Sequence, residues 1–237
     1  MYTKRIEIYF MKEKELSIIV PTYQGGKWIK NTINTLLEAF PYAEIIVVND
    51  GSNDETSKIK DIFGERIVYL ENKKNRGKGY SLRKGFATAQ GKYIIFTDAD
   101  LPFGLEAIEK VLGMLREGNP VVIGTREKFY NNTFYKSWLR PGLYSLLHFL
   151  FGLSYRDTQC GLKGFSQQAG KEILPFTIVN RFAIDIEMLF LAKKKHFPVK
   201  EVLVEQEVFT PSTFNMANII KMFFDLLTIR FHYYGIK

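Results

Sequence analysis

Apolar runs of strand length alternate with amphipathic helical stretches from the start of the chain to about residue 125. Leu16 to Val20, Glu44 to Val48, Arg66 to Leu70, Tyr93 to Thr97 and Val121 to Ile123 read as strands. All but the third are nearly continuously apolar, as strands buried on both faces of a parallel sheet are. Between them Ile29, Ile33, Leu36, Leu37 and Phe40 recur at helical spacing, as do Leu82, Phe86 and Ala89. The alternation predicts an α/β fold: a mostly parallel sheet with helices on both faces. The second half is less regular. A basic aromatic stretch (Phe129, Tyr130, Phe134, Tyr135, Trp138) leads into an oily segment from Gly142 to Tyr155. A helix around Ile184 to Lys195, a strand near Val199 to Val208 and a final apolar helix follow. No linker or repeat interrupts the chain, so residues 1–237 are expected to form a single domain. Its parts would be a first half over about 16–125, a second over about 126–212 and the terminal helix over about 213–232.

The strands end in polar clusters: Pro21-Thr22-Tyr23, Asn49-Asp50-Gly51-Ser52 and Asp98-Ala99-Asp100. Open α/β sheets bind ligands outside the carboxyl ends of their strands, so the clusters are expected to converge on one crevice. Asp98 and Asp100 stand one residue apart at the end of a buried strand. Two hard oxygen donors there suit a divalent cation holding a diphosphate. The simpler alternative, that Asp100 caps a helix beginning near Pro102, accounts for one aspartate and leaves Asp98 without a role. Asp50 is placed to accept from a base or ribose hydroxyl, although Asn49 to Ser52 also reads as an ordinary turn followed by a helix cap.

With 46% hydrophobic residues the chain can bury a sizeable core, and its formal net charge of +8 favours anionic partners. The excess is local. Glu71 to Gly85 holds Lys73, Lys74, Arg76, Lys78, Arg83 and Lys84 against one acid, and Arg126 to Arg140 holds Arg126, Lys128, Lys136 and Arg140 against one. Either run would also serve as a plain solvated face. The single cysteine, Cys160, rules out an internal disulfide and a thiolate metal cluster. The N-terminus has no apolar core of signal-peptide length, so a cytoplasmic location is expected. No stretch reaches the roughly 18 uncharged apolar residues of a spanning helix.

Several chemistries lack their residues. There is no G-x-x-x-x-G-K-[ST], and Gly77-Lys78-Gly79 does not complete G-x-G-x-x-G. There is no G-x-S-x-G, and His148, His196 and His232 lie in separate segments, which indicates neither a hydrolase triad nor a histidine metal site.

Taken in order, Val20-Pro21-Thr22-Tyr23, Val48-Asn49-Asp50-Gly51-Ser52, Asn75-Arg76-Gly77-Lys78-Gly79, Asp98-Ala99-Asp100, Gly124-Thr125-Arg126, Asp157-Thr158-Gln159-Cys160-Gly161 and Arg181 to Glu187 resemble the polyprenyl-phosphate glycosyltransferases. These are inverting family 2 enzymes of the GT-A fold, typified by the dolichyl-phosphate mannose and glucose synthases. The resemblance spans residues 16 to about 205, and the D-T-Q-C-G run is closest to the glucose branch. It implies that Pro21, Tyr23, Val48 and Asp50 hold the nucleoside and that Asp98 and Ala99 contact the donor. Asp98 and Asp100 would carry Mg²⁺ or Mn²⁺, while Arg126 and Arg140 would grip phosphate. Gly25 stands where the mannose synthases usually place a glutamate, and Pro102 replaces a side chain that often completes the metal site. Both departures count against GDP-mannose.

The implied reaction moves a hexose from a nucleoside diphosphate sugar to a polyprenyl phosphate, with inversion. An ionised phosphate acceptor needs positioning by arginine forks more than it needs a strong base. In that case Asp157 would orient the acceptor or its arginines, or simply shape a turn. Transfer to a saccharide or protein hydroxyl would instead need a base, for which Asp157 is the candidate. A nucleotidyltransferase would be expected to carry a glycine- and arginine-rich loop after the first strand, and Pro21 to Trp28 does not supply it. A non-enzymatic membrane or nucleic-acid binding module would fit the charge and leave the aspartate pair without a purpose. Nucleic acid is therefore not expected as a partner.

A lipid acceptor would bring the chain to a membrane surface. Between Phe214 and Phe231 apolar residues cover most of the helical circumference, leaving Asn218, Lys221, Asp225, Thr228 and His232 as a narrow polar stripe. This helix and the Gly142 to Tyr155 segment are read as interfacial, giving a peripheral protein on the cytoplasmic side. Packing on the core or a homodimer interface would cover the same faces.

Overall fold

The computed structural model describes residues 14–126, 142, 145–206 and 216–234. Seven strands form one sheet: β1 (Leu16–Thr22), β2 (Glu44–Asn49), β3 (Val68–Glu71), β4 (Tyr93–Phe96), β5 (Val121–Arg126), β6 (Lys163–Ser166) and β7 (Val199–Val204). Their spatial order is β3-β2-β1-β4-β6-β5-β7. Only β6 is antiparallel to its neighbours, pairing with β4 and β5 on either side. The chain leaves β1 outward to β2 and β3 and then returns to place β4 on β1's other side. The gap between β1 and β4 is thus the topological switch point, where open sheets take ligands.

Alternating side chains fill both faces of the sheet. Ile18, Val20, Ile45 and Val47 face α1 (Ile29–Ala39), α2 (Ile59–Phe63) and α4 (Gly104–Arg116) through Ile33, Leu36, Phe63, Ile108 and Val111. Ile19, Ile46, Val48 and Phe96 face the other way, toward α3 (Lys78–Thr88), α5 (145–151), α6 (Gln167–Ile173), α7 (Ile184–Lys194) and α8 (Met216–Tyr234). Burial on both faces is why these strands read as unbroken apolar runs.

Three elements differ from the sequence reading. The third strand begins at Val68, because Gly64–Arg66 forms a 3₁₀ turn. The last strand ends at Val204. The four-residue β6 has no sequence pattern of its own: its first residue, Lys163, is fully buried.

The C-terminal helix, expected to be interfacial or to pack on the core, packs on the core along one side. Leu226, Ile229 and Tyr233 are buried in the core, and the single Tyr233 hydroxyl proton is shared between Phe176 O and Glu187 Oε1, both within hydrogen-bond reach. The buried Glu187 carboxylate also accepts from the amides of Ile178 and Val179, and burial raises its pKa despite those bonds. Of the expected polar stripe, Lys221, Thr228 and His232 are exposed, while Asp225 is half-buried with Oδ2 lacking a hydrogen-bond partner. Burial raises the Asp225 pKa in turn. Asn218 has a side chain outside the described set.

Because Ile229 is fully buried, Ile229→Ala should cost about 2–5 kcal/mol of stability. Urea unfolding should show a lower midpoint with little change in slope. Tyr233→Phe should cost about 1–3 kcal/mol, since it leaves Glu187 and Phe176 O short of a donor.

Candidate active site

Strand direction brings the polar clusters together. Since β1, β2, β3, β4 and β5 run the same way, their carboxyl ends share one edge. The antiparallel β6 starts at that edge, so the Asp157 to Leu162 segment that precedes it joins the same crevice.

The first two loops are locked to each other. The amides of Gln24, Gly25 and Gly26 donate to Ser52 Oγ (2.9 Å), Thr56 Oγ1 (3.0 Å) and Asp54 Oδ2 (2.8 Å). Burial works against the Asp54 charge, but the hydrogen bonds from Thr56 and Gly26 hold its pKa below the usual carboxylate range. Gly25 O accepts from Trp28 and Ile29, turning the chain into α1. A Cβ at Gly25 would overlap the Thr22 hydroxyl, which accounts for the absence of a larger residue there. Thr22 Oγ1 is itself buried with no hydrogen-bond partner, an orphan that a polar ligand would satisfy. Pro21 is half-buried and Tyr23 is half exposed at this rim.

Asp50 fastens the third loop. Its oxygens accept from Asn72 Nδ2 (2.8 Å), Arg76 N (2.9 Å) and Gly77 N (2.7 Å), and Gly77 has φ +97°, a conformation that favours glycine. The Asp50 carboxylate therefore shapes the Asn72 to Gly77 loop, a role that the turn-forming sequence did not reveal. Val48 is fully buried and belongs to the hydrophobic core.

Asp98 and Asp100 follow β4. Helix α4 begins at Gly104 with Phe103 at its N-cap position, three residues beyond Asp100. Thr32 Oγ1 donates to Ala99 O at 2.7 Å, and Leu101 holds φ +46°, pinning the turn in a conformation unusual for leucine. Asp98 is 40% exposed and lies 3.0 Å from Lys78 Nζ. On its other side is Gly161, where a Cβ would overlap the Asp98 carboxylate. The absence of a side chain at 161 is what leaves Asp98 its place.

Behind Asp98 lies a row of alternating charges. Lys78 Nζ is also 3.4 Å from Asp185 Oδ2, whose Oδ1 is 2.6 Å from the fully buried Lys163 Nζ. Lys163 completes its bonding with Cys160 O at 2.6 Å. Burial alone would lower the Lys78 pKa and raise that of Asp185. The opposite charges outweigh it, holding Lys78 above and Asp185 below its ordinary value. The sequence placed Lys78 in a basic run that could equally meet an anion or form a solvated face. Lys73, Lys74 and Arg76 are exposed as a solvated face requires, whereas Lys78 is drawn inward by two aspartates distant in sequence.

Arg126, at the end of β5, meets Asp157 in a two-pronged ion pair, Nε to Oδ2 at 2.6 Å and Nη2 to Oδ1 at 3.0 Å. Burial acts to lower the Arg126 pKa, but the bonds and charge of Asp157 hold it above its usual value. Asp157 is buried and also accepts from Gln159 N. With both oxygens on a guanidinium it serves as an orienter of Arg126. Burial pushes the Cys160 thiol up to about 12, which makes it an inert core group. Arg140 lies outside the described residues.

The aspartates suit a divalent cation. They are hard oxygen donors on an open edge with room preserved by Gly161. Among the described residues no group of three or more His, Cys, Asp or Glu converges, so the remaining ligands would be diphosphate oxygens and water, as Mg²⁺ prefers.

Residues 17–174 match the family model described as Glycosyl transferase family 2. The chain is 30% identical to the dolichyl-phosphate beta-glucosyltransferase of Homo sapiens, an alignment covering 93% of this chain and 76% of that protein. The enzyme of the same name from Saccharomyces cerevisiae is 31% identical over 92% and 75%. Among solved structures, glucosyl-3-phosphoglycerate synthase from Mycobacterium tuberculosis, in complex with Mn²⁺, UDP and phosphoglyceric acid, superposes with a TM-score of 0.73. That match covers 94% of this chain and 80% of that one, and at 16% identity it speaks for the fold alone. With the family model spanning most of the chain, and with relatives near 30% identity along nearly all of it, this protein belongs to glycosyl transferase family 2 and is a glycosyltransferase.

Proposed function

We propose that this enzyme transfers glucose from UDP-glucose to a polyprenyl phosphate of the dolichyl type, with inversion and with Mg²⁺ or Mn²⁺ at Asp98 and Asp100. The observation that carries the reading is the Arg126–Asp157 pair. A hydroxyl acceptor needs a base, and the one carboxylate proposed for that work has both oxygens committed to a guanidinium. A phosphate acceptor arrives ionised and needs a fixed cation, which a guanidinium gripped from behind supplies. The curated relatives are named as dolichyl-phosphate beta-glucosyltransferases, and a β-linked product from an α-linked donor requires inversion.

Asp98 and Asp100 would hold the divalent cation, which would supply positive charge against the departing diphosphate. The chain's own residues do the remaining work. The Thr22 to Gly26 turn, clamped by Ser52, Asp54 and Thr56, offers the orphan Thr22 hydroxyl and the Tyr23 ring to the nucleoside. Asp50 keeps the neighbouring loop in shape. Arg126 holds the acceptor phosphate in line with the anomeric carbon. Such positioning supplies much of the rate when neither partner needs deprotonation.

The lipid tail has an apolar landing face. Opposite its buried stripe, α8 exposes Ile220, Phe223, Phe224 and Phe231, spaced three, one and seven residues apart, which puts them on one side of the helix. Gln159 Nε2 lies 3.1 Å from Met222 Sδ, so α8 borders the loop that carries Asp157. Among the described residues no helix is long and apolar enough to cross a membrane. Peripheral docking through this face is the reading we adopt.

Labelled UDP and GDP sugars, offered with and without polyprenyl phosphate, test the whole reading. Organic-phase label is expected from UDP-glucose only when the lipid phosphate is present. Label appearing in water-soluble saccharide or protein would overturn it. Excess EDTA should abolish transfer, and Asp100→Asn should lower kcat/KM by at least roughly a hundredfold. Gly161→Ala should displace Asp98 and cost on the order of tenfold in kcat/KM while far-UV circular dichroism stays unchanged. Phe223→Ser with Phe224→Ser should reduce co-flotation with anionic liposomes and transfer to lipid, yet leave calorimetric UDP binding within a few-fold, because both side chains are exposed.

A further inference from the structure

Lys78 is a mostly buried cation that neither nucleoside binding nor acceptor binding uses. Its ammonium lies against Asp98 Oδ1 at 3.0 Å, on one of the two carboxylates assigned to the cation, and its side chain is only 11% exposed. It cannot drift away, because Asp185 Oδ2 holds it at 3.4 Å and Asp185 is itself fixed by Lys163 at 2.6 Å. Along this row the charges alternate as Lys163, Asp185, Lys78 and Asp98, and they sum to zero.

Resting on the function proposed above, we infer that Lys78 is a positioning residue that acts as the resident counter-cation of the donor site. It holds Asp98 when no donor is bound, and so couples cation uptake to uptake of a nucleoside diphosphate. A dication arriving alone must compete with the ammonium for Asp98 and leaves two cations sharing that carboxylate. Arriving with a diphosphate, it brings the negative charge that lets both cations remain. Lys78, tethered through Asp185, then lies at the diphosphate side of the crevice, where an ammonium is attracted to phosphate. The third loop supports this placement, since Lys78 opens α3 directly after the Arg76 and Gly77 amides that Asp50 anchors.

The test is Mn²⁺ binding to the full chain, followed by the electron paramagnetic resonance signal of the free ion, with and without UDP. Wild type should bind Mn²⁺ alone weakly. Lys78→Gln should tighten binding of Mn²⁺ alone by about fivefold or more and shrink the gain that UDP brings. Lys78→Arg, which keeps the charge and offers Asp98 a two-pronged partner, should bind Mn²⁺ alone no better than wild type, and it carries the test if Lys78→Gln does not fold. Unchanged or weaker Mn²⁺ binding in Lys78→Gln overturns the inference, as does tighter binding in Lys78→Arg. If wild type binds UDP with Mn²⁺ and only the response to position 78 is missing, the proposed function stands and this inference alone falls. If wild type binds neither, the proposed function falls with it.

Discussion

A carboxylate taken out of water must be met by cations or donors on both oxygens, and Asp185 is where this chain meets that demand. Helix α7 carries it into the interior, β6 answers with Lys163 and α3 answers with Lys78. An uncompensated buried charge costs several kcal/mol, so these three elements are held to one another by necessity rather than by fit alone. Lys163 sits in the middle of the sheet, opposite Phe96 on one neighbour and Ile123 on the other. Without Asp185 no lysine could stay there. With it, β6 can run antiparallel between β4 and β5 and deliver the Asp157 to Leu162 segment to the crevice.

The site is assembled from loops that would otherwise be mobile. Three consecutive amides after β1 are taken by side chains of the loop after β2, and a carboxylate from that same loop takes two amides of the next. Each bond is worth about 1 kcal/mol net, but an unmade one at a buried amide would cost more, so the set specifies one arrangement. Such preorganisation is what positional catalysis needs, because a misplaced donor loses far more than a weakened bond. Arg126 follows the same rule: the two prongs from Asp157 fix the guanidinium plane before any acceptor arrives.

Helix α8 resolves a tension present in its composition. It is apolar around most of its circumference, and a helix of that kind has to be covered on every side. The protein covers one side through Leu226, Ile229 and Tyr233 and leaves phenylalanines on the other. The same helix is thus a structural member and, through Met222 and Gln159, a neighbour of the proposed acceptor loop. The core-packing reading of the sequence holds for that one side.

The order of elements, the parallel strands and the carboxylates at the end of β4 were all legible in the sequence. Local apolar periodicity records two-sided burial, and strand ends in such sheets have one chemical use. Family membership was legible for a related reason, since short motifs in a fixed order survive where overall identity falls. What stayed hidden depends on partners far apart in the chain. Nothing near Lys163 announces a strand, because its burial is permitted only by Asp185, twenty-two residues on. Lys78 belonged to a basic run that could equally meet an anion or form a solvated face, and only two aspartates, one 107 residues away, draw it inside. Gly161 was only the last residue of a family motif, and the Asp98 carboxylate beside it gives the missing side chain a purpose. Periodicity is written by each residue's own solvation and can be read along the chain. Which buried charge answers which is settled by distance in space, and that the tertiary structure alone decided.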